Sequence, residues 1–170
     1  EEVSRGLGDV YKRQEHGHLR GAIWDNVKNP KGTIQIAHGL VEYHDRYDEF
    51  AKFLNEHGYI VYCNDHLGHG LHVKKGELKG YFADENGYEA VVDQLAEMNS
   101  VIRKAHPSLN HFFIGHSLGT ALGLSFLKRN ISFDAVILSA PFTNHDFILF
   151  LFGILAVSYT HLRAHETPLH

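Results

Sequence analysis

The pentapeptide Gly115-His116-Ser117-Leu118-Gly119 sets a serine between two glycines, in the Gly-x-Ser-x-Gly spacing of a nucleophile elbow. That spacing is common, and its surroundings make it specific. The apolar run Phe112-Phe113-Ile114 precedes it, and the helical run from Ala121 to Leu127 follows. A chain turning sharply from strand to helix crowds its own backbone. Glycines at 115 and 119 remove the side chains that would clash, and the hydroxyl of Ser117 is left exposed at the tip. The helix N-terminus behind it favours developing negative charge. A serine so placed is a nucleophile for acyl transfer. A second motif, His38-Gly39-Leu40, follows the β-branched run from Thr33 to Ala37. An oxyanion hole of this kind draws one backbone N–H from the residue after the nucleophile and another from the loop after an early strand. Leu118 and Leu40 are the matching donors, and Gly39 lets the loop come close.

Other chemistry-bearing residues point to structural roles. His66, His69 and His72 are spaced i, i+3, i+6, but no carboxylate or cysteine completes a recognisable set, and the glycines around them indicate a loop. No metal site is expected from these residues. His116 lies beside the serine but points elsewhere on an elbow, which implies packing or hydrogen bonding. His16 and His18 read as surface residues. Cys63 stands alone in a strand, so it belongs to the core, excludes an intrachain disulfide and points to a reducing, cytoplasmic setting.

The elements that must position these groups follow from periodicity. Apolar β-like runs occur at His18–Trp24, Thr33–Ala37, Tyr59–Cys63, His111–Ile114 and Ala135–Leu138. Tyr47, Phe50, Ala51, Phe53 and Leu54 fall on one helical face that Gly58 closes. A longer stripe runs through Tyr88, Val91, Val92, Leu95, Met98, Ile102 and Ala105 until Pro107 stops it, and a further helix covers Ser117 to Arg129. Asn64 to Gly80 reads as a loop. Strands without polar alternation, interleaved with helices, predict an α/β fold with a mostly parallel sheet and helices on both faces. The 170 residues are 44% hydrophobic and 21% charged, which excludes a disordered or fibrous chain. The formal charge of −4 comes without any basic block, which argues against nucleic acid as a partner.

Three segments in order carry a family resemblance: His38-Gly39-Leu40-Val41-Glu42-Tyr43-His44-Asp45-Arg46-Tyr47, Asn64-Asp65-His66-Leu67-Gly68-His69-Gly70, and Gly115-His116-Ser117-Leu118-Gly119. Together they resemble the monoacylglycerol lipase and lysophospholipase branch of the α/β-hydrolases. The resemblance implies a Ser-Asp-His triad on a doubly wound sheet. It implies hydrolysis of carboxylic esters through an acyl-enzyme, without metal or organic cofactor, on a small lipid or ester substrate. The same elbow also serves prolyl aminopeptidases, thioesterases, acyltransferases and non-catalytic binding proteins on this scaffold, and these stay open at this stage.

The sequence departs from the family pattern in two ways. Leu67 stands where the branch usually has arginine. More seriously, the triad acid and base belong to strands later than any found here, so the triad Asp and His are expected to be absent from this chain. Asp134 begins a strand at the end away from the serine, and His145 and Asp146 come too early in the chain for those roles. The stretch 147–156 is apolar all round but shorter than the ~20 residues a membrane span needs. By resemblance a cap begins at about residue 142, and residues 147–155 are its start, a surface for peripheral membrane contact. Finally, residues 4–14 and 157–166 are encoded by one DNA sequence and by its reverse complement shifted one base, and both resemble translated sequencing-library adapters. Residues 1–14 and 157–170 are therefore expected to be non-native. Residues 15–156 are expected to be the N-terminal part of an α/β-hydrolase that stops at the start of its cap.

Overall fold

The computed structural model describes residues 19–141, apart from 74 and 77. Its elements in chain order are β1 Gly21–Trp24, β2 Gly32–Ala37, α1 Asp48–Glu56, β3 Tyr59–Asn64, α2 Gly87–Ala105, β4 Asn110–His116, α3 Leu118–Leu127 and β5 Ala135–Ser139. The strands form one five-stranded sheet in the order β1-β3-β2-β4-β5. Only β1 runs antiparallel, against β3; the β2–β3, β2–β4 and β4–β5 pairs are parallel.

The β-branched and aromatic runs form these strands because both of their faces are covered. On one face Ile34 and Ile36 of β2 meet Val61 and Cys63 of β3 beneath Ala51 of α1. On the other face Phe113 of β4 packs with Val91, Val92 and Leu95 of α2 and Leu122 and Phe126 of α3. Helices thus lie on both faces, as the alternation of elements predicts. The long stripe of α2 is buried from Val91 to Ile102, while Tyr88 near its start is partly exposed. Gln35, buried in the middle of β2, is satisfied from α2: its side-chain amide donates to the Leu95 carbonyl at 2.9 Å and accepts from Asn99 at 3.2 Å. Among the described residues, no helix is long and apolar enough to cross a membrane.

Three expectations need correction. Phe50 and Phe53 do not share the buried face of α1; they are 41% and 51% exposed. The face that meets the sheet is Tyr47, Ala51 and Leu54, an i, i+4, i+7 stripe, and the two phenylalanines fall on the neighbouring stripe, stacked with centroids 6.5 Å apart. The third helix begins at Leu118 and ends at Leu127, because Ser117 has left helical geometry. The loop after β3 contains a short 3-10 turn at Gly70–His72, and Asn64 belongs to the strand. Expectations for His16, His18, His145, Asp146, the 147–156 stretch and both terminal segments lie outside the described residues.

Candidate active site

Strand β4 delivers the chain to Ser117, and α3 carries it away. Ser117 has φ 50° and ψ −115°, a region an L-residue enters at a cost unless its surroundings force it. Here the flanking glycines make the corner. A Cβ on Gly115 would come within 2.6 Å of the Gly119 carbonyl oxygen. A Cβ on Gly119 would overlap the Ala37 carbonyl oxygen and lie 2.9 Å from that of His38. The first turn of α3 therefore rests directly on the end of β2. The Ser117 carbonyl accepts from the Thr120 N–H at 2.9 Å and from its hydroxyl at 2.7 Å. The Ser117 N–H donates to the Ser139 carbonyl at the end of β5 at 2.9 Å. Among the described residues no side chain hydrogen-bonds the Ser117 hydroxyl, and Asp134 sits at the opposite end of β4, accepting from the His111 N–H at 2.7 Å.

The segment after β2 reaches the same corner. A Cβ on Gly39 would lie 3.3 Å from the His116 ring, so this loop and the serine turn touch. Leu40 follows Gly39, and Val41 then adopts φ 60°, an outlier for a β-branched residue. Glu42 folds back: its Oε2 accepts from the Gly39 N–H and from the Tyr47 hydroxyl, each at 2.9 Å. Burial alone would push this carboxyl up, but the Gly39 N–H, Tyr47, His116 and Arg46 together hold it below its ordinary value. The His116 ring sits beside Glu42 and Ser139: its Nε2 lies 3.8 Å from Glu42 and its Nδ1 3.4 Å from the Ser139 hydroxyl.

The histidines behind the loop are buried braces. The His66 N–H donates to His38 Nε2 at 3.0 Å, so the His38 proton sits on Nδ1 and is given to the Gly39 carbonyl at 2.8 Å. Burial pushes His38 down from 6.5 to about 4, partly countered by the Gly39 carbonyl, so the ring is neutral. Burial also lowers His66 well below its ordinary value, and its Nε2 donates to the His38 carbonyl at 3.0 Å. The rings of His38 and His66 lie against each other, tilted by 31° with centroids 3.8 Å apart. His66 Nδ1 and His69 Nε2 are buried without a hydrogen-bond partner among the described residues. No group of three or more metal-ligating side chains gathers among the described residues.

Asp65 ties the two loops together. It accepts from the His44 N–H at 2.8 Å, the His44 ring at 2.9 Å and the Leu71 N–H at 2.8 Å. Burial opposes both charges, yet the pairing lowers Asp65 and raises His44. Leu67 joins the apolar core beside α2, and its N–H donates to Gln94 at 3.2 Å. Cys63 is fully buried, and burial pushes its thiol well up, as a core role requires. A pocket of about 570 Å³ opens between residues 41–45 and the 68–71 turn, lined on its far side by Val73, Lys79 and Gly80. The brackets formed by Glu42 and Asp65 were not read from the sequence; the turn spacing of Gly39 and Glu42 was the only sign of the first.

Residues 28–165 match a hydrolase family described as serine aminopeptidase S33. The chain belongs to this family. It falls in the monoglyceride lipase branch of the α/β-hydrolases: it is 32% identical over 133 residues to the monoglyceride lipase homolog of Monkeypox virus, covering 78% of this chain and 46% of that one. It is 30% identical over 119 residues to the monoglyceride lipase of Rattus norvegicus, covering 69% of this chain and 37% of that one. The chain thus spans less than half the length of these relatives. In fold it is similar to a thermostable carboxyl esterase from Bacillus coagulans, with TM-score 0.72, 22% identity and coverage of 93% of this chain and 52% of that one. It is also similar to a soluble variant of the monoglyceride lipase of Saccharomyces cerevisiae, with TM-score 0.65, 21% identity and coverage of 81% and 46%.

Proposed function

We propose that the parent of this chain is a serine hydrolase that cleaves carboxylic esters of monoacylglycerol or lysophospholipid. Ser117 is the nucleophile: its oxygen forms a bond to the ester carbonyl carbon, the alcohol leaves with a proton, and water later releases the fatty acid from the acyl-enzyme. The N–H groups of Leu40 and Leu118 receive the oxyanion. His38, Gly39, Gly115, His116 and Gly119 shape the corner without touching the reacting atoms. The observation that carries this reading is the backbone of Ser117, held at φ 50° between β4 and α3 by glycines packed on main chain. The names of the relatives support the lipid ester as the substrate class.

On this reading the triad aspartate and histidine are not among the 170 residues, and the chain by itself is expected to lack appreciable turnover. A peripheral membrane role for the apolar stretch 147–155 belongs to the same proposal. Two measurements test it. A fluorophosphonate probe should label Ser117 of this chain only slowly, since rapid phosphonylation needs an assembled base; fast labelling refutes the inactivity. The parent reading frame carried beyond residue 156 should hydrolyse p-nitrophenyl esters in preference to amides, and the reverse preference overturns the substrate class.

A further inference from the structure

We infer that Glu42 is a positioning residue, whose carboxylate fixes the loop carrying the Leu40 N–H against the corner carrying Ser117. The inference rests on the reading of Leu40 as an oxyanion donor.

One anion meets three separate pieces of the fold. Its Oε2 accepts from the Gly39 N–H at 2.9 Å, immediately before Leu40. The same oxygen accepts from Tyr47, at the entrance to α1, at 2.9 Å. Its Oε1 lies 3.8 Å from Nε2 of His116, the neighbour of Ser117, and 3.9 Å from Nε of Arg46. The carboxylate is 16% exposed, so these bonds form with little competition from water. A Cβ on Gly39 would come within 3.0 Å of Oε2, which shows how closely the group is seated under the loop.

The loop needs such a clamp. Between Gly39 and Glu42 the chain passes Val41 at φ 60°, a left-handed conformation that a β-branched residue rarely adopts. Strained backbone persists where its surroundings over-determine it. Without the carboxylate, the Gly39 N–H and the Tyr47 hydroxyl lose their acceptor, and the remaining ties, from His38 to the Gly39 carbonyl and from Asp65 to His44, hold the loop on either side of Leu40 and Val41 but not at the Gly39 N–H. The loop then relaxes and takes the Leu40 N–H with it. The Leu118 N–H is fixed separately, by α3 and the glycine contacts at 115 and 119, and stays in place. A purely stabilising glutamate would act on both donors alike or on neither.

The two donors can be read individually by amide nitrogen–proton NMR of the whole chain, titrated with butyrate as a carboxylate stand-in for the oxyanion. In the unaltered chain the Leu40 and Leu118 amides are expected to shift together along one saturation curve. In Glu42→Ala the Leu118 response should persist while that of Leu40 falls about tenfold, the equivalent of one charge-assisted hydrogen bond. Glu42→Gln, which keeps an acceptor but no charge, should restore part of it. If both amides respond in Glu42→Ala as they do in the unaltered chain, the positioning role is overturned. If neither responds in the unaltered chain, the oxyanion reading itself fails and this inference falls with it, an outcome distinct from the previous one. Should Glu42→Ala lose its dispersed spectrum, Tyr47→Phe removes one anchor of the carboxylate with the fold kept. A reduced Leu40 response there supports the role, and an unchanged one overturns it.

Discussion

Replacing Gly119 with alanine tests whether the serine corner is built by contact with β2. In an exposed helix the change would stabilise by about 1 kcal/mol, because glycine is the poorer helix former. Here the added methyl would lie 2.6 Å from the carbonyl carbon of Ala37 and 2.9 Å from the carbonyl oxygen of His38. Carbon atoms settle at about 3.5–4.0 Å. Both obstacles are main chain at the end of the sheet's central strand, so neither can swing aside. The helix must instead retreat by about 1 Å, and it carries Leu122 and Phe126, which are fully buried against Phe113. Overpacking of this kind costs about 1–3 kcal/mol or more, which outweighs the gain in helix propensity. An overlap this deep with main chain belongs at the upper end of that range, and less the propensity gain the expected net loss is about 2 kcal/mol. With a urea slope of about 1–3 kcal/mol per molar, the unfolding midpoint should fall by about 1 M, followed by far-ultraviolet circular dichroism. A midpoint unchanged or raised in Gly119→Ala would show that α3 does not sit on β2 as described, and the physical basis for the Ser117 geometry would be lost.

Further outcomes follow from single residues. Val41→Gly should leave the protein equally stable or up to about 1 kcal/mol more so, since relief of a positive φ at a side chain 70% exposed outweighs the greater freedom of glycine when unfolded; a clear loss in the urea midpoint refutes the strain. His38 folds neutral, lowered from 6.5 to about 4 by burial, so the unfolded chain takes up this proton first and stability falls as pH drops through that window. Between about pH 7 and about pH 5 the loss is about 2 kcal/mol, and His38→Gln should flatten that slope; an unchanged slope refutes the assignment. Ile137, 59% exposed on β5, should be replaceable by lysine with a gain in solubility and little change in the unfolding midpoint; a large fall in midpoint would show that the residue is covered.

Much of this was legible in the sequence, for identifiable reasons. The glycine–serine–glycine spacing fixed the corner because only small residues survive backbone contact on both sides, and Gly115 and Gly119 meet main chain as expected. Apolar runs such as Thr33–Ala37 and His111–Ile114 gave the strands, since a strand covered on both faces has no other way to read. Tertiary contacts were not legible. Phe50 and Phe53 share a helical arc with Ala51, but which edge of the arc meets the sheet is decided by β3 and not by periodicity. Glu42 carries no pattern beyond its distance from Gly39, because a side chain that turns back onto its own loop depends on Val41 entering the left-handed region. Asp65 and His44 were visible as letters of a motif, yet their pairing across separate loops is a product of the fold.

Strand β5, at the edge of the sheet among the described residues, has a mechanical consequence for the serine. The amide of Ser117 is fastened to the last residue of β5, and β5 leans on β4 along one side with much of its own surface open to water. Fraying at that rim travels one hydrogen bond before it reaches the reactive corner. Whatever braces the rim therefore also steadies the Ser117 backbone, one hydrogen bond away.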